Sequence, residues 1–299
     1  TAHSVRKRVL GDSANPEETS NAMHRNRQTS SNPSILVTGA STGIGRACAV
    51  HLDSLGFVVF AGVRKHADGD SLTAEAPNIR PVIIDVTDAE SIAAAAAELQ
   101  TALGPDGLFG LVNNAGITVV GPLESVRIED LRRQLEVNVV GQIAVTQAFL
   151  PQLRQAKGRI VNMGSIFGLM SLPYVGAYAA SKYALEALTD ALRSEVAPWG
   201  IEVVIIEPGR IATPIFDKSM DAMEEWRNPT DETQALYADS MAATLKVTAR
   251  LAKSCASPQH VAHAVARAFT ARRPKTRYKV GRDVRFWTPL RRVLPDRLC

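Results

Sequence analysis

Short runs of aliphatic and β-branched residues recur along the chain, each followed by a longer stretch with helical spacing. Few folds accommodate that alternation. Strands are expected over residues 35–37, 57–63, 81–84, 108–112, 159–163, 202–206 and 277–280. Runs such as ILV, FVVF, PVII and VVII are apolar at nearly every position, as in strands buried on both faces. Between them, helices are expected from the first Gly-rich turn to about residue 55 and over about 92–103, 128–153, 175–198 and 258–271. The Ala-rich run at 93–97 reads as plain helix, since Ala is the best helix former. Strands alternating with helices make βαβ units, and right-handed crossovers wind them into a doubly wound parallel sheet. The expected fold class is therefore α/β, Rossmann-like, in three α/β/α layers.

One sheet absorbs residues 34–281, so a single domain is expected there, with a helical insertion at about 214–253 as a lid. Residues 1–33 are rich in Ser, Asn, Arg and Thr without an apolar period, which reads as a flexible extension. The net charge of +4 is unevenly spread: residues 1–33 carry +2, residues 272–299 carry +8, and the acidic middle carries −6. In the tail, 282–299, Arg282, Arg285, Arg291, Arg292 and Arg297 alternate with Phe286, Trp287 and Leu290. A basic amphipathic segment suits peripheral contact with an anionic membrane. Packing near the pocket or against a subunit is the reading favoured here. No base-reading motif accompanies the charge, so no nucleic-acid partner is expected.

No run of about 20 apolar residues is present, so no transmembrane helix is expected. Cys48, Cys255 and Cys299 are far apart and odd in number, which suits a reducing, cytoplasmic location. His260 and His263 lie one helical turn apart with no third ligand nearby, so they read as solvent-facing and no metal site is expected.

The segment Thr38-Gly39-Ala40-Ser41-Thr42-Gly43-Ile44-Gly45 follows the first strand and opens a helix. Glycines there allow a tight turn and a close backbone approach, and the helix N-terminus offers N–H groups to a pyrophosphate. Further along, Tyr178 and Lys182 stand four apart on an expected helix and so share a face. A neighbouring ammonium lowers the pKa of a phenol from about 10, which would let Tyr178 move a proton near neutral pH. A surface Tyr–Lys pair fits the same spacing. Ser165, at the carboxyl end of the fifth strand where open α/β sheets bind ligands, favours the chemical reading.

Taken together, the Gly loop, Asp85-Val86, Asn113-Asn114-Ala115-Gly116, the set Ser165…Tyr178…Lys182, and Pro208-Gly209 resemble the short-chain dehydrogenase/reductase family over about residues 34–281. The resemblance implies an NAD(P)(H)-dependent oxidoreductase. It implies that Gly39, Ser41, Thr42, Gly43, Ile44 and Gly45 cradle the pyrophosphate, and that Asp85 and Val86 contact the adenine. Asn113, Ala115 and Gly116 would shape the cofactor groove, while Pro208, Gly209, Ile211 and Thr213 would orient the carboxamide. Tyr178 and Lys182 would touch the cofactor as well as act in catalysis. Ser165 would hold the substrate oxygen, and Asn138 a water on a relay through Lys182. Gly164 departs from the family's frequent second Ser but leaves the hydroxyl at 165 in place. Relatives are dimers or tetramers, so a homodimer or homotetramer is expected.

Strand two ends Ala61-Gly62-Val63-Arg64-Lys65, without the carboxylate that would bind a ribose 2′-OH. A guanidinium at Arg64 suits a 2′-phosphate, so NADP(H) is favoured and NAD(H) is the alternative. Met220, Met223, Trp226, Tyr237 and Met241 make the lid apolar and adaptable, although each singly also suits ordinary core packing. The Phe-Ala-Gly-Val-Arg stretch and Arg277-Tyr278-Lys279-Val280-Gly281 resemble the retinol and hydroxysteroid dehydrogenase branch. That implies a secondary alcohol or ketone on a hydrophobic skeleton. A catalytically silent NAD(P)-binding regulator is the alternative, and the full Asn138, Ser165, Tyr178 and Lys182 set speaks against it.

Overall fold

Every position of β1 (Ser34–Val37) is buried, and its side chains feed two separate cores. Ile35 and Val37 enter one core and Leu36 the other, as the two-residue strand period dictates. The computed structural model describes residues 32–225, 232–252, 254–281 and 283–284. Nearly all of the extension expected at 1–33, most of the tail expected at 282–299, and Trp226 lie outside the described residues.

Six strands join β1 in one wholly parallel sheet: β2 (Val58–Val63), β3 (Arg80–Ile83), β4 (Gly110–Asn113), β5 (Arg159–Met163), β6 (Glu202–Pro208) and β7 (Arg277–Val280). Their order is β3-β2-β1-β4-β5-β6-β7. The order reverses between β1 and β4, where Val37 pairs with Val112, and that reversal leaves a crevice at the strands' carboxyl ends. One face of the sheet is covered by α1 (Gly43–Ser54) and α9 (Pro258–Thr270), through Cys48, Leu52, Val261 and Phe269. The other is covered by α3 (Ala89–Leu103), α5 (Gly141–Ala156) and α6 (Gly176–Val196), through Leu99, Phe149, Leu153 and Val196.

Three departures from the sequence reading have physical causes. First, α2 (His66–Glu75) was not expected, because Asp68, Gly69 and Asp70 erase its apolar period and Leu72 is its one large buried side chain. Second, the single helix expected over 128–153 is interrupted. It comprises α4 (Ile128–Leu135), a π-helical turn at Glu136–Val140, and α5. The extra residue of that turn buries Asn138 completely; such bulges are frequent at functional sites. Third, the fold continues past 281: Val284 is fully buried, and Asp283 accepts a hydrogen bond from Arg210 N at 2.9 Å. The expected insertion is two helices, α7 (Pro214–Glu224) and α8 (Glu232–Ala252).

Candidate active site

The Gly loop leaves β1 and turns into α1 with Gly39 at φ +64° and Gly43 at φ +57°, a backbone region closed to most side chains. Gly45 is required by proximity instead. A Cβ there would strike the Gly39 carbonyl and stand 2.5 Å from Asn114 Nδ2. Thr42 caps α1 without using its side chain, so the first-turn N–H groups have no side-chain cap. Such a helix end is ready to bind an anion. Arg46 braces the loop from behind, donating to Ser71 O at 2.9 Å and to Glu75 at 2.8 Å, with a longer contact to Ser41 O.

Thr38 and Asn114, which the motifs hold without a named role, weld this loop to the one after β4. Thr38 Oγ1 accepts from Asn114 N at 3.0 Å and Ala115 N at 3.1 Å, while Asn114 Nδ2 donates to Thr38 O at 2.9 Å. Both lie inside the motifs, yet nothing in one sequence marks them as cross-braces. Asn113 is 1% exposed, and its Nδ2 donates to Thr146 Oγ1 (2.8 Å) and Asn162 Oδ1 (2.9 Å), so it fastens β4 to β5 and α5. A Cβ at Gly116 would stand 3.4 Å from Asn138 Oδ1, and Ala115 O accepts from Gln142.

At the carboxyl ends of β2 and β3, burial alone would raise the Asp85 carboxyl. Hydrogen bonds from Thr87 N and Oγ1, at 2.9 and 2.7 Å, and the nearby Arg64 and Arg133 charges outweigh that and hold it below the usual range. Exposed Arg64 therefore shares the carboxyl ends of β2 and β3 with Asp85, while Val86 is buried against Gly141. On the far side, Pro208 ends β6 and Gly209 N donates to Val280 O at 2.8 Å. Ile211 is bridged to Ala256, and Thr213 stands 3.4 Å from where a Gly43 Cβ would be. The loop after β6 thus meets the Gly loop.

Ser165, Tyr178 and Lys182 converge at the carboxyl end of β5. Lys182 is 4% exposed, which excludes a surface pair. Its Nζ donates to Met163 O at 2.7 Å and lies 5.6 Å from the centre of the Tyr178 ring. Phe167 packs edge-on to that ring. Ser181, fully buried, donates to Tyr178 O at 2.7 Å and accepts from Asn138 Nδ2 at 3.1 Å. The Asn138 amide also grips both polar groups of Ile117, at 2.9 and 3.0 Å. Its side chain is therefore spent on the β4–α4 loop and on α6.

The electrostatics correct one expectation. Tyr178 was expected to be made acidic by Lys182. Instead burial raises the phenol above its ordinary value, with a hydrogen bond from Ser165 acting in the opposite direction. Burial also pushes Lys182 down to about 8, partly offset by Glu186. Desolvation thus opposes the charged form of each group.

The lid methionines are divided. Met223 and Met241 are buried in a small cluster with Leu245, Val120, Tyr174 and Val175, so they serve as the lid's own core; Met220 packs on its edge. Tyr174 holds a positive φ of 69° and pairs its hydroxyl with Ser240, while Tyr237 donates to Glu124 at 2.6 Å. A separate groove of about 460 Å³, bounded by Arg46, His51, Pro258 and His263, opens behind Gly43 and includes none of Ser165, Tyr178 or Lys182.

Residues 33–224 match the family model described as short chain dehydrogenase. The chain is 37% identical to retinol dehydrogenase 5 of Mus musculus, over 89% of this chain and 86% of that protein. It is 36% identical to the NADPH-dependent 3-dehydrocapnine reductase of Ornithobacterium rhinotracheale, over 88% and 93% of the two chains. Among solved structures, a short-chain dehydrogenase from Streptomyces avermitilis superposes with TM-score 0.74 at 32% identity, covering 88% of this chain and 93% of that one. A Burkholderia cenocepacia short chain dehydrogenase in complex with NADP gives 0.68 at 27% identity, over 90% and 95%. One from Burkholderia phymatum in complex with NAD gives 0.73 at 26%, over 88% and 93%.

Proposed function

Because the chain belongs to the short-chain dehydrogenase family, we propose that it interconverts a secondary alcohol and a ketone on a hydrophobic skeleton, with Tyr178 as the proton-transfer residue. It is an NAD(P)-dependent oxidoreductase. The observation that carries the finer reading is the Ser165–Tyr178–Lys182 cluster at the carboxyl end of β5, with Ser165 and Lys182 buried and Tyr178 half-buried, one strand from the sheet's crevice.

The residues suit a dinucleotide. A bare helix N-terminus follows a loop that a single Cβ at Gly45 would fill, and Thr213 and Ile211 close the opposite wall. The nicotinamide, when bound, supplies the hydride. The protein's own residues do the rest. Ser165 holds the substrate oxygen. Tyr178 donates a proton to that oxygen during reduction and recovers one from solvent through Lys182. In the alcohol-to-ketone direction, Tyr178 gives up its proton first and then accepts the alcohol's. That direction demands more help from surrounding positive charge, because burial holds the phenol protonated.

Arg64 supports NADP(H): an exposed guanidinium at the end of β2, near Asp85, is placed to pair with a 2′-phosphate. The retinol dehydrogenase relative supports a hydrophobic substrate. The test is a panel of retinoid, steroid and short aliphatic ketones and alcohols, each assayed with NADPH/NADP+ and NADH/NAD+. Turnover should be confined to hydrophobic secondary alcohols and ketones and be faster with NADP(H). Turnover confined to small hydrophilic substrates would refute the assignment.

A further inference from the structure

Behind Lys182 lies a group of charges that the reaction as described does not use. Glu186 follows Lys182 by one turn of α6, on the same face, and is 8% exposed. Both residues press on Gly168, just after Ser165: a Cβ there would meet Lys182 O at 3.0 Å and Glu186 Cγ at 3.1 Å. Glu186 Oε2 accepts from Arg277 Nη2 at 3.1 Å, while its buried Oε1 has no hydrogen-bond partner among the described residues. Arg277, from β7, also reaches Asp190 at 2.7 Å and the fully buried Glu207 of β6 at 3.3 Å. Arg193 takes the other Asp190 oxygen. The groups around Glu186 are thus Lys182 and Asp190 from α6, Glu207 from β6 and Arg277 from β7.

Three carboxyl groups crowd one guanidinium, so they are not all comfortably ionised. Placing like charges together in a buried site makes one of them hold its proton. That one is Glu186. Burial and then Glu207 push it up to about 7, against the pull of Arg277. An acid that changes charge near neutrality therefore stands one turn from the buried amine of the active site.

We propose that Glu186 is a positioning residue of this enzyme: its carboxyl, held by Arg277 and set on the same helix face as Lys182, maintains the positive charge of Lys182 beside Tyr178. The proposal rests on the functional reading above only for its consequence in turnover. The charge coupling itself is a property of the protein without cofactor. When Glu186 ionises, the adjacent ammonium is stabilised and its proton is held to higher pH. When Glu186 is neutral, burial acts on Lys182 unopposed.

The coupling is read first without turnover. Lysine labelled with ¹³C at Cε in the full chain, with Lys182 assigned through Lys182→Arg, reports the amine's titration by NMR. In the native protein the Lys182 signal should carry a second inflection near pH 7, where Glu186 ionises. In Glu186→Gln, nearly the same shape without the charge, that inflection should vanish and the amine's midpoint fall by about one pH unit. Glu186→Asp should restore part of the midpoint. In ketone reduction, the alkaline limb of kcat should move down with the midpoint in Glu186→Gln. A single-step native titration, or an unchanged midpoint in Glu186→Gln, would overturn the proposal, as would a lower kcat with an unmoved pH profile. If Tyr178→Phe keeps full turnover, the functional reading fails instead, and the NMR titration still judges Glu186.

Discussion

The Lys182 ammonium stands 5.6 Å from the centre of the Tyr178 ring and is anchored to the Met163 carbonyl at 2.7 Å. Its position is set by the backbone of β5 as much as by α6. Lys182 is buried beside the half-buried Tyr178, and desolvation costs the charged form of each. Function here requires a charge kept where the solvent does not favour it.

That cost gives a stability prediction. Lys182 titrates at about 8 in the fold, below its ordinary value of 10.5. Between those values the unfolded chain binds the extra proton, so raising the pH favours the folded state through this residue. Lys182→Met removes the effect. Its melting temperature should exceed that of the native protein most at pH 7, and the gap should narrow steadily towards pH 10. A gap constant with pH, read by calorimetry or circular dichroism, would contradict the placement of the amine.

Gly45→Ala should damage the cofactor cradle. The added methyl meets the Gly39 carbonyl, which cannot move without displacing Asn114 from its bonds to Thr38 and Gly39. A loss of about 1–3 kcal/mol of stability is expected from overpacking, together with loss of NADPH binding by fluorescence titration. Unchanged binding would show that the loop closes elsewhere.

Asn138→Ala should loosen the joint between the β4–α4 loop and α6. It strands Ile117 N and removes the donor to Ser181. Leaving a buried donor unmade costs about 1–3 kcal/mol. Denaturant unfolding should show that loss, and kcat should fall more than cofactor affinity.

Arg64→Gln tests cofactor choice. Loss of a charge-assisted contact to a phosphate should weaken NADPH by about tenfold and leave NADH nearly unaffected. Calorimetric titration of both reads the result; equal weakening would place Arg64 away from the 2′-position.

Much of this was legible from the amino-acid order alone, for reasons that differ by element. The strand at 159–163 was located to the residue, because Ile160 and Val161 at its heart are fully buried; the strand at 277–280, although Arg277, Tyr278 and Lys279 are only half-buried, was located as well. The Gly loop and the Tyr178–Lys182 pair were legible because their geometry is local. Long-range pairings were not. Nothing near Arg277 announces Glu186, Asp190 and Glu207, and nothing near Asp283 announces Arg210. The sign of the Tyr178 shift was missed for the same reason: the spacing places an amine beside a phenol, but only the packing around both decides how much burial opposes it.

Tyr178→Phe tests the account's central claim most directly, because it removes one hydroxyl and leaves the ring against Phe167. With a ketone found by the substrate panel, kcat should fall by about 10²–10⁴-fold while NADPH affinity stays within about twofold, as expected for an interaction confined to the transition state. Turnover within a few-fold of the native enzyme would contradict it.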